Sequence, residues 1–172
     1  MTRITVLVAA PDAHSPLRAA AVRAAEAAAG HTAAPAAPHV VDLAELGPAL
    51  LAADTGRDVV DALAAVRGSE VLLVASPQVH GSYTGLLKVF LDRLPELGLG
   101  HTVAVPMAVV DDLRNGRNIE EDLRVLLADL GAWVVEPGLL LSRGELADPG
   151  GVVAAWAEVA APALREAVAV SV

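Results

Sequence analysis

Four side chains that could meet a flat, polar small molecule fall within six residues: Gln78, His80, Ser82 and Tyr83, in the segment SPQVHGSY at 76–83. His80 could hydrogen-bond a heterocycle, or stand as an ordinary loop histidine. Ser82 offers a hydroxyl where a helix is expected to start, so it is a ligand contact or a helix cap. Tyr83 is one of four aromatic residues in the chain; it could stack on a planar ligand, or serve the core or a subunit contact. A second candidate lies in AAPDAHSPLR, residues 9–18, where Ser15 and the amides of a helix start could hold a phosphate. Ser15 also reads as a plain N-cap before Pro16. Asp12 would repel an anion there, and Arg18 would help it or simply face solvent. Asp111 and Asp112 form a third polar spot; they solvate a turn, meet a cationic or hydroxylated ligand, or pair with Arg114 or Arg117.

Other chemistries lack their residues. There is no cysteine, which removes disulfides, thiolate nucleophiles and Cys-held metals. No GxSxG elbow accompanies the serines, and no GxGxxG fingerprint follows a strand. His14, His31, His39, His80 and His101 are scattered, without a metal-ligand spacing.

The surrounding elements explain why these spots could converge. Residues 71–75, VLLVA, are a short β-branched apolar run and predict a buried strand ended by Pro77. Gly81 and Gly85 permit a tight connection, after which Leu86, Leu87, Phe90, Leu91 and Leu94 recur with helical spacing. Strand, polar loop, helix is the unit whose loop lies at the ligand edge of an open α/β sheet. Residues 4–9 predict a central first strand, and 17–29 an alanine-rich helix stopped by Gly30. Residues 32–38 read as a proline-containing link, 39–43 as a short strand, and 44–56 as poorly periodic and partly helical. The 57–67 segment predicts a helix with Val59, Val60, Leu63 and Val66 on its apolar side. A strand over 102–110 should end or be disturbed near Pro106. Asn118 and Glu121 have capping-box spacing before a helix stopped by Gly131. Residues 133–135 and 139–141 predict a final strand that is interrupted or extended, and 151–170 a helix kinked or split at Pro162. Five alternating strand and helix units predict an α/β fold: a five-stranded parallel sheet of order 2-1-3-4-5 between two helical layers, residues 1–172 forming one domain.

The formal charge of −9 and the lack of a basic stripe argue against nucleic-acid binding. Alanine accounts for much of the 55% hydrophobic content. No apolar run reaches the length of a membrane span, and MTRITVLVAA reads as a first strand, so a cytoplasmic protein without membrane attachment is expected.

The chain resembles the flavodoxin-like NAD(P)H-dependent FMN reductase family, most of all the members that supply reduced flavin to two-component alkanesulfonate monooxygenases. The likeness rests on Ser76–Pro77, Gly81–Ser82–Tyr83, Gly85–Leu86–Leu87–Lys88 and Leu91–Asp92, against a family pattern like (T/S)PEYNGSYPGLLKNxLD. Residues 94–107 and 123–135 resemble later parts of the family. The resemblance implies a three-layer flavodoxin-like sandwich, bound FMN and a nicotinamide, NADH or NADPH, that passes hydride to the flavin. It implies a phosphate site at 10–15 including Ser15, and an isoalloxazine contact at Pro77, Gln78, Val79, His80, Gly81, Ser82 and Tyr83. The loop after Val110, with Asp111, would close the other side. It further implies a homodimer or homotetramer and a flavin-dependent monooxygenase as partner. The chain departs from the family where Gln78, Val79 and His80 replace Glu, Tyr and Asn, where Ala9, Ala10 and Asp12 replace small polar and basic residues, and where Asp111–Asp112 replace a glycine-rich loop. Those departures support an alternative: a flavodoxin-like protein with a degenerate flavin site that acts as a binding or assembly partner.

Overall fold

The computed structural model describes residues 2–31 and 37–170. Most of the link expected at 32–38 therefore lies outside the described residues. Strands β1 (Ile4–Val8), β2 (His39–Asp42), β3 (Val71–Pro77) and β4 (Val103–Val110) are parallel, in the order β2-β1-β3-β4. Every residue of β1 and β4 is buried, as expected of strands covered on both faces. Helices α1 (Pro16–Ala29) and α6 (Gly150–Val170) cover one face; α3 (Arg57–Arg67), α4 (Gly85–Leu91) and α5 (Arg117–Asp129) cover the other. The short α2 (Leu43–Leu46) and a 3₁₀ turn at Gly47–Leu51 follow β2. This is the flavodoxin-like three-layer arrangement.

Alanine content has a packing role. Ala20, Ala21, Ala24, Ala25, Ala28 and Ala29 of α1 are buried, as are Ala157, Ala160, Ala161 and Ala167 of α6. Side chains this small let the two helices and the sheet approach closely, at the cost of little apolar area per residue. The opposite layer relies on bulk: Leu87, Phe90, Leu91, Ile119, Leu123 and Leu127 are essentially inaccessible to solvent.

At the edge beyond β4 the final strand is interrupted, as expected from residues 133–135 and 139–141, and its two pieces count as separate strands. These are β5 (Trp133–Val134) beside Val103 and Ala104, and β6 (Leu139–Ser142) beside residues 107–110. The sheet thus has six strands, with the lateral order β2-β1-β3-β4-β5 and β6 sharing the last position. The break is matched to Pro106, which does not end β4 but pairs with Val74 in an unbroken ladder to β3. Strand parity explains why. The carbonyl of Val109 accepts from Gln78 of the β3 side, whereas those of Ala104 and Val110 accept from Val135 and Arg143 at the outer edge. Residue 106 shares the parity of 104 and 110, so its missing N–H faces the outer edge, between β5 and β6, and leaves the ladder to β3 intact. Gly138 lies against it: a Cβ there would stand 2.9 Å from the Pro106 carbonyl oxygen.

Local expectations are corrected or narrowed in four places. Val60 is 50% exposed, and the buried side of α3 is Val59, Ala62 and Val66. Helix α5 begins at Arg117 with Gly116 at its N-cap, so Asn118 is inside the helix and forms no capping box. Helix α4 starts at Gly85 with Thr84 as its N-cap, so Ser82 does not stand at the helix start. Pro162 sits inside α6, which runs through it rather than splitting into two helices; it is exposed, as is Glu158 one turn before, so water can satisfy the carbonyl it leaves free. Among the described residues no helix is long and apolar enough to cross a membrane.

Candidate functional site

The carboxyl ends of β1, β3 and β4 bring three loops to one edge of the sheet: 9–15, 78–84 and 111–116. Register enforces this, because Val8 pairs with Ala75 and Pro77 with Val109. Polar side chains then tie the loops together. Ser76 is fully buried; its hydroxyl donates to the Pro77 carbonyl (2.9 Å) and accepts from the Thr84 amide (3.1 Å). Thr84 is the N-cap of α4: its Oγ1 accepts from the Leu87 amide at 3.3 Å and donates to the Ala9 carbonyl at 2.9 Å. One hydroxyl thereby fixes a helix start and fastens the second loop, 78–84, to the first.

The segment between these ties is a tight hairpin. The Val79 amide donates to the Ser82 carbonyl (2.8 Å) and the Ser82 amide returns to the Val79 carbonyl (3.2 Å). His80 and Gly81 between them have φ of 50° and 90°, the positive pair of a two-residue type I′ turn. Glycine takes this conformation freely; for His80 it is strained, by about 1 kcal/mol. Gln78 is used internally: its amide donates to the Val109 carbonyl (2.8 Å) and its Nε2 to the Gly81 carbonyl (3.3 Å). Ser82 is not the helix cap; its Oγ donates to Oδ2 of Asp122 on α5 at 2.5 Å. Tyr83 is half-buried against the core under α4, while Val79, His80 and Gly81 are exposed at the tip. Lys88 and Asp92, one turn apart on α4, form the expected pair at 2.5 Å, and the hydrogen bond to Asp92 raises the Lys88 pKa above its ordinary value.

In the first loop Ser15 occupies the N-cap position of α1 with extended backbone, φ −60° and ψ 159°, but makes no side-chain cap bond. Its Oγ is buried and without a hydrogen-bond partner among the described residues. A buried hydroxyl left unpaired at the amino end of a fourteen-residue helix fits an anionic oxygen of a ligand. The cationic groups nearby are already engaged. Asp42, its side chain fully buried, accepts from the His14 amide (3.2 Å), Arg18 Nη1 (3.4 Å) and the Ala44 amide (3.1 Å). Glu45 accepts from the same Arg18 nitrogen at 2.7 Å and lies 3.2 Å from His14 Nε2.

At the third loop Asp111 is exposed and paired with Arg143 at the end of β6, a partner not among those expected. Asp112 caps the 3₁₀ turn Leu113–Asn115 by accepting from the Arg114 amide at 2.9 Å. The sheet edge thus gathers Ser15, the 76–83 segment and Asp111 as expected. Thr84, Asp42, Asp122 and Arg143 were missed. Of these Thr84 had a readable signal, a threonine directly before an apolar helical run; the others depend on contacts 24 to 40 residues apart in sequence, or on the chance meeting of two loops. A cavity of about 490 Å³ lies at the opposite end of β1, lined by Ile4, Ala64 and Gly68 among others, away from these loops.

Residues 2–145 match the sequence profile of a family described as NADPH-dependent FMN reductase. The chain is 30% identical over 115 residues to the NADH-dependent FMN reductase SfnE of Pseudomonas putida, a match covering 64% of this chain and 62% of that protein. It therefore spans less than two thirds of that relative's length. Among solved structures, an oxidoreductase from Corynebacterium diphtheriae superimposes with a TM-score of 0.78 at 25% identity, over 94% of this chain and 96% of that one. The apo form of an NADH:FMN oxidoreductase gives a TM-score of 0.82 at 24% identity, covering 96% and 89% of the two chains, a likeness of fold.

Proposed function

The chain belongs to the NADPH-dependent FMN reductase family, and from that premise we propose that it is an NAD(P)H-dependent flavin reductase whose site is the loop cluster at the carboxyl edge of the sheet. The observation that carries the proposal is the unpartnered Ser15 Oγ at the start of α1, beside a hairpin tied to the same loop through Thr84. FMN, when bound, supplies the redox chemistry by accepting hydride from a nicotinamide, so no protein acid, base or nucleophile is required. Ser15 and the α1 amides hold the phosphate. Pro77, Gln78, Val79, His80, Gly81, Ser82 and Tyr83 present the flavin face, with the type I′ turn fixing the exposed Val79 and His80. Asp111, restrained by Arg143, bounds the far side. Reduced flavin released from such a site would serve a flavin-dependent monooxygenase, and the enzyme would work as a homodimer or homotetramer.

Titration with FMN, followed by flavin fluorescence, together with NADH and NADPH oxidation in its presence, tests the proposal. Saturable flavin binding with turnover on either nicotinamide is the expected result; neither binding nor turnover would refute it. The second reading, a flavodoxin-like scaffold with a degenerate site that acts as an assembly partner, is favoured by the prior engagement of Arg18 and Asp111 in ion pairs. Binding without turnover, or none, would support it.

A further inference from the structure

The cations beside the first loop are matched by carboxylates from the next strand and helix. Arg18 is 27% exposed and shares one guanidinium nitrogen between Asp42 and Glu45. His14 gives its amide to Asp42 and lies within ion-pair distance of Glu45 through Nε2. Pro11 and Pro16 have no amide to give, and Asp12 adds a further exposed carboxylate to the loop. What remains for a phosphate is chiefly the Ser15 hydroxyl and neutral amides, which recognise an anion by hydrogen bonds without a free counter-charge. The two carboxylates are not equivalent. The Asp42 side chain is sealed from solvent and caps α2, so it is part of the fold; the Glu45 side chain is 45% exposed and its removal disturbs nothing buried.

Resting on the flavin-reductase reading, we infer that Glu45 is a specificity-determining residue: by occupying Arg18 and facing His14 it keeps the site from favouring FMN over unphosphorylated riboflavin. The substrate class is then flavins as a group, recognised mainly through the ring system, with the phosphate a minor contributor. With Glu45 neutralised, Arg18 would still pair with Asp42, but one carboxylate's repulsion would be gone from beside the loop, favouring a dianionic phosphate and leaving a neutral ribityl chain unaffected.

The test compares dissociation constants for FMN and riboflavin, by fluorescence titration at low and high salt, in the wild-type protein, Glu45→Gln and Glu158→Gln. Glu158 is exposed on α6 and takes no part in the cluster of His14, Arg18, Asp42 and Glu45, so its substitution controls for net charge. Wild-type protein is expected to bind the two flavins within about tenfold of each other. Glu45→Gln should tighten FMN by about fivefold with riboflavin unchanged, an effect that shrinks at high salt, and Glu158→Gln should alter neither. A wild-type preference for FMN well above tenfold, or a Glu45→Gln effect equal on both flavins or matched by Glu158→Gln, overturns the inference while leaving the flavin-reductase reading in place. Failure of both flavins to bind any of the three proteins removes that reading, and this inference with it.

Discussion

Replacing Thr84 with valine keeps the shape of a buried side chain and removes a hydroxyl with two jobs. The α4 amide at Leu87 loses its cap, which costs about 1 kcal/mol. The carbonyl of Ala9, a residue with no solvent exposure, loses the hydroxyl that donates to it at 2.9 Å, and a buried acceptor without a partner costs about 1–3 kcal/mol. Together the two terms predict a loss of about 2–4 kcal/mol, a large part of the roughly 5–15 kcal/mol typical of a domain. Urea unfolding followed by circular dichroism should show the midpoint falling by about 1–2 M at an unchanged slope. Thr84→Ser retains the hydroxyl and should lose no more than about 1 kcal/mol. Flavin affinity should fall in Thr84→Val beyond what partial unfolding explains, because the hydroxyl joins the two loops proposed to grip the flavin. If the valine and serine variants lose the same stability, the hydroxyl does not hold the loops together and the reasoning fails.

Ser15→Ala should change stability by less than about 0.5 kcal/mol in thermal unfolding, because no cap bond is lost, yet weaken FMN binding; a cap-sized loss of about 1 kcal/mol would contradict the geometry. Gly138→Ala should destabilise by about 1–3 kcal/mol, since the added methyl would sit 2.9 Å from the Pro106 carbonyl oxygen, whereas Gly85→Ala, with nothing within 4 Å, should be neutral or better by urea titration. In Asp122→Asn the charge-assisted bond from Ser82 is weakened, so the Ser82 and Val79 amides should exchange hydrogen faster while the midpoint of unfolding moves little.

The fold was legible where one chemical signal dominated. The apolar runs at β1, β3 and β4 and the intervening helical segments were enough to place the 2-1-3-4 order, because parallel strands joined by right-handed crossovers leave few arrangements. Pro106 marked the disturbance but not its side: the ladder breaks only toward β5 and β6, and sequence does not reveal which side a missing donor faces. Val60 misled because helix α3 presents a narrower buried stripe than its hydrophobic residues suggest. In the site, the residue types around 76–83 were readable, but their uses were not: Gln78 pairs with its own hairpin and Ser82 with α5. Asp42 looked like the end of a short strand, and only the meeting of β1 and β2 makes it the partner of Arg18 and His14.

The broken strand beside β4 bears on how the protein behaves at high concentration. A continuous edge would expose a row of unpaired amides and carbonyls to which a strand of another molecule could add. Here the outermost ladder is two residues of β5, a proline-glycine interruption and four residues of β6. An incoming strand finds only two short runs, of two and four residues, so this side of the sheet offers little to the intermolecular β-addition from which fibrous aggregates grow.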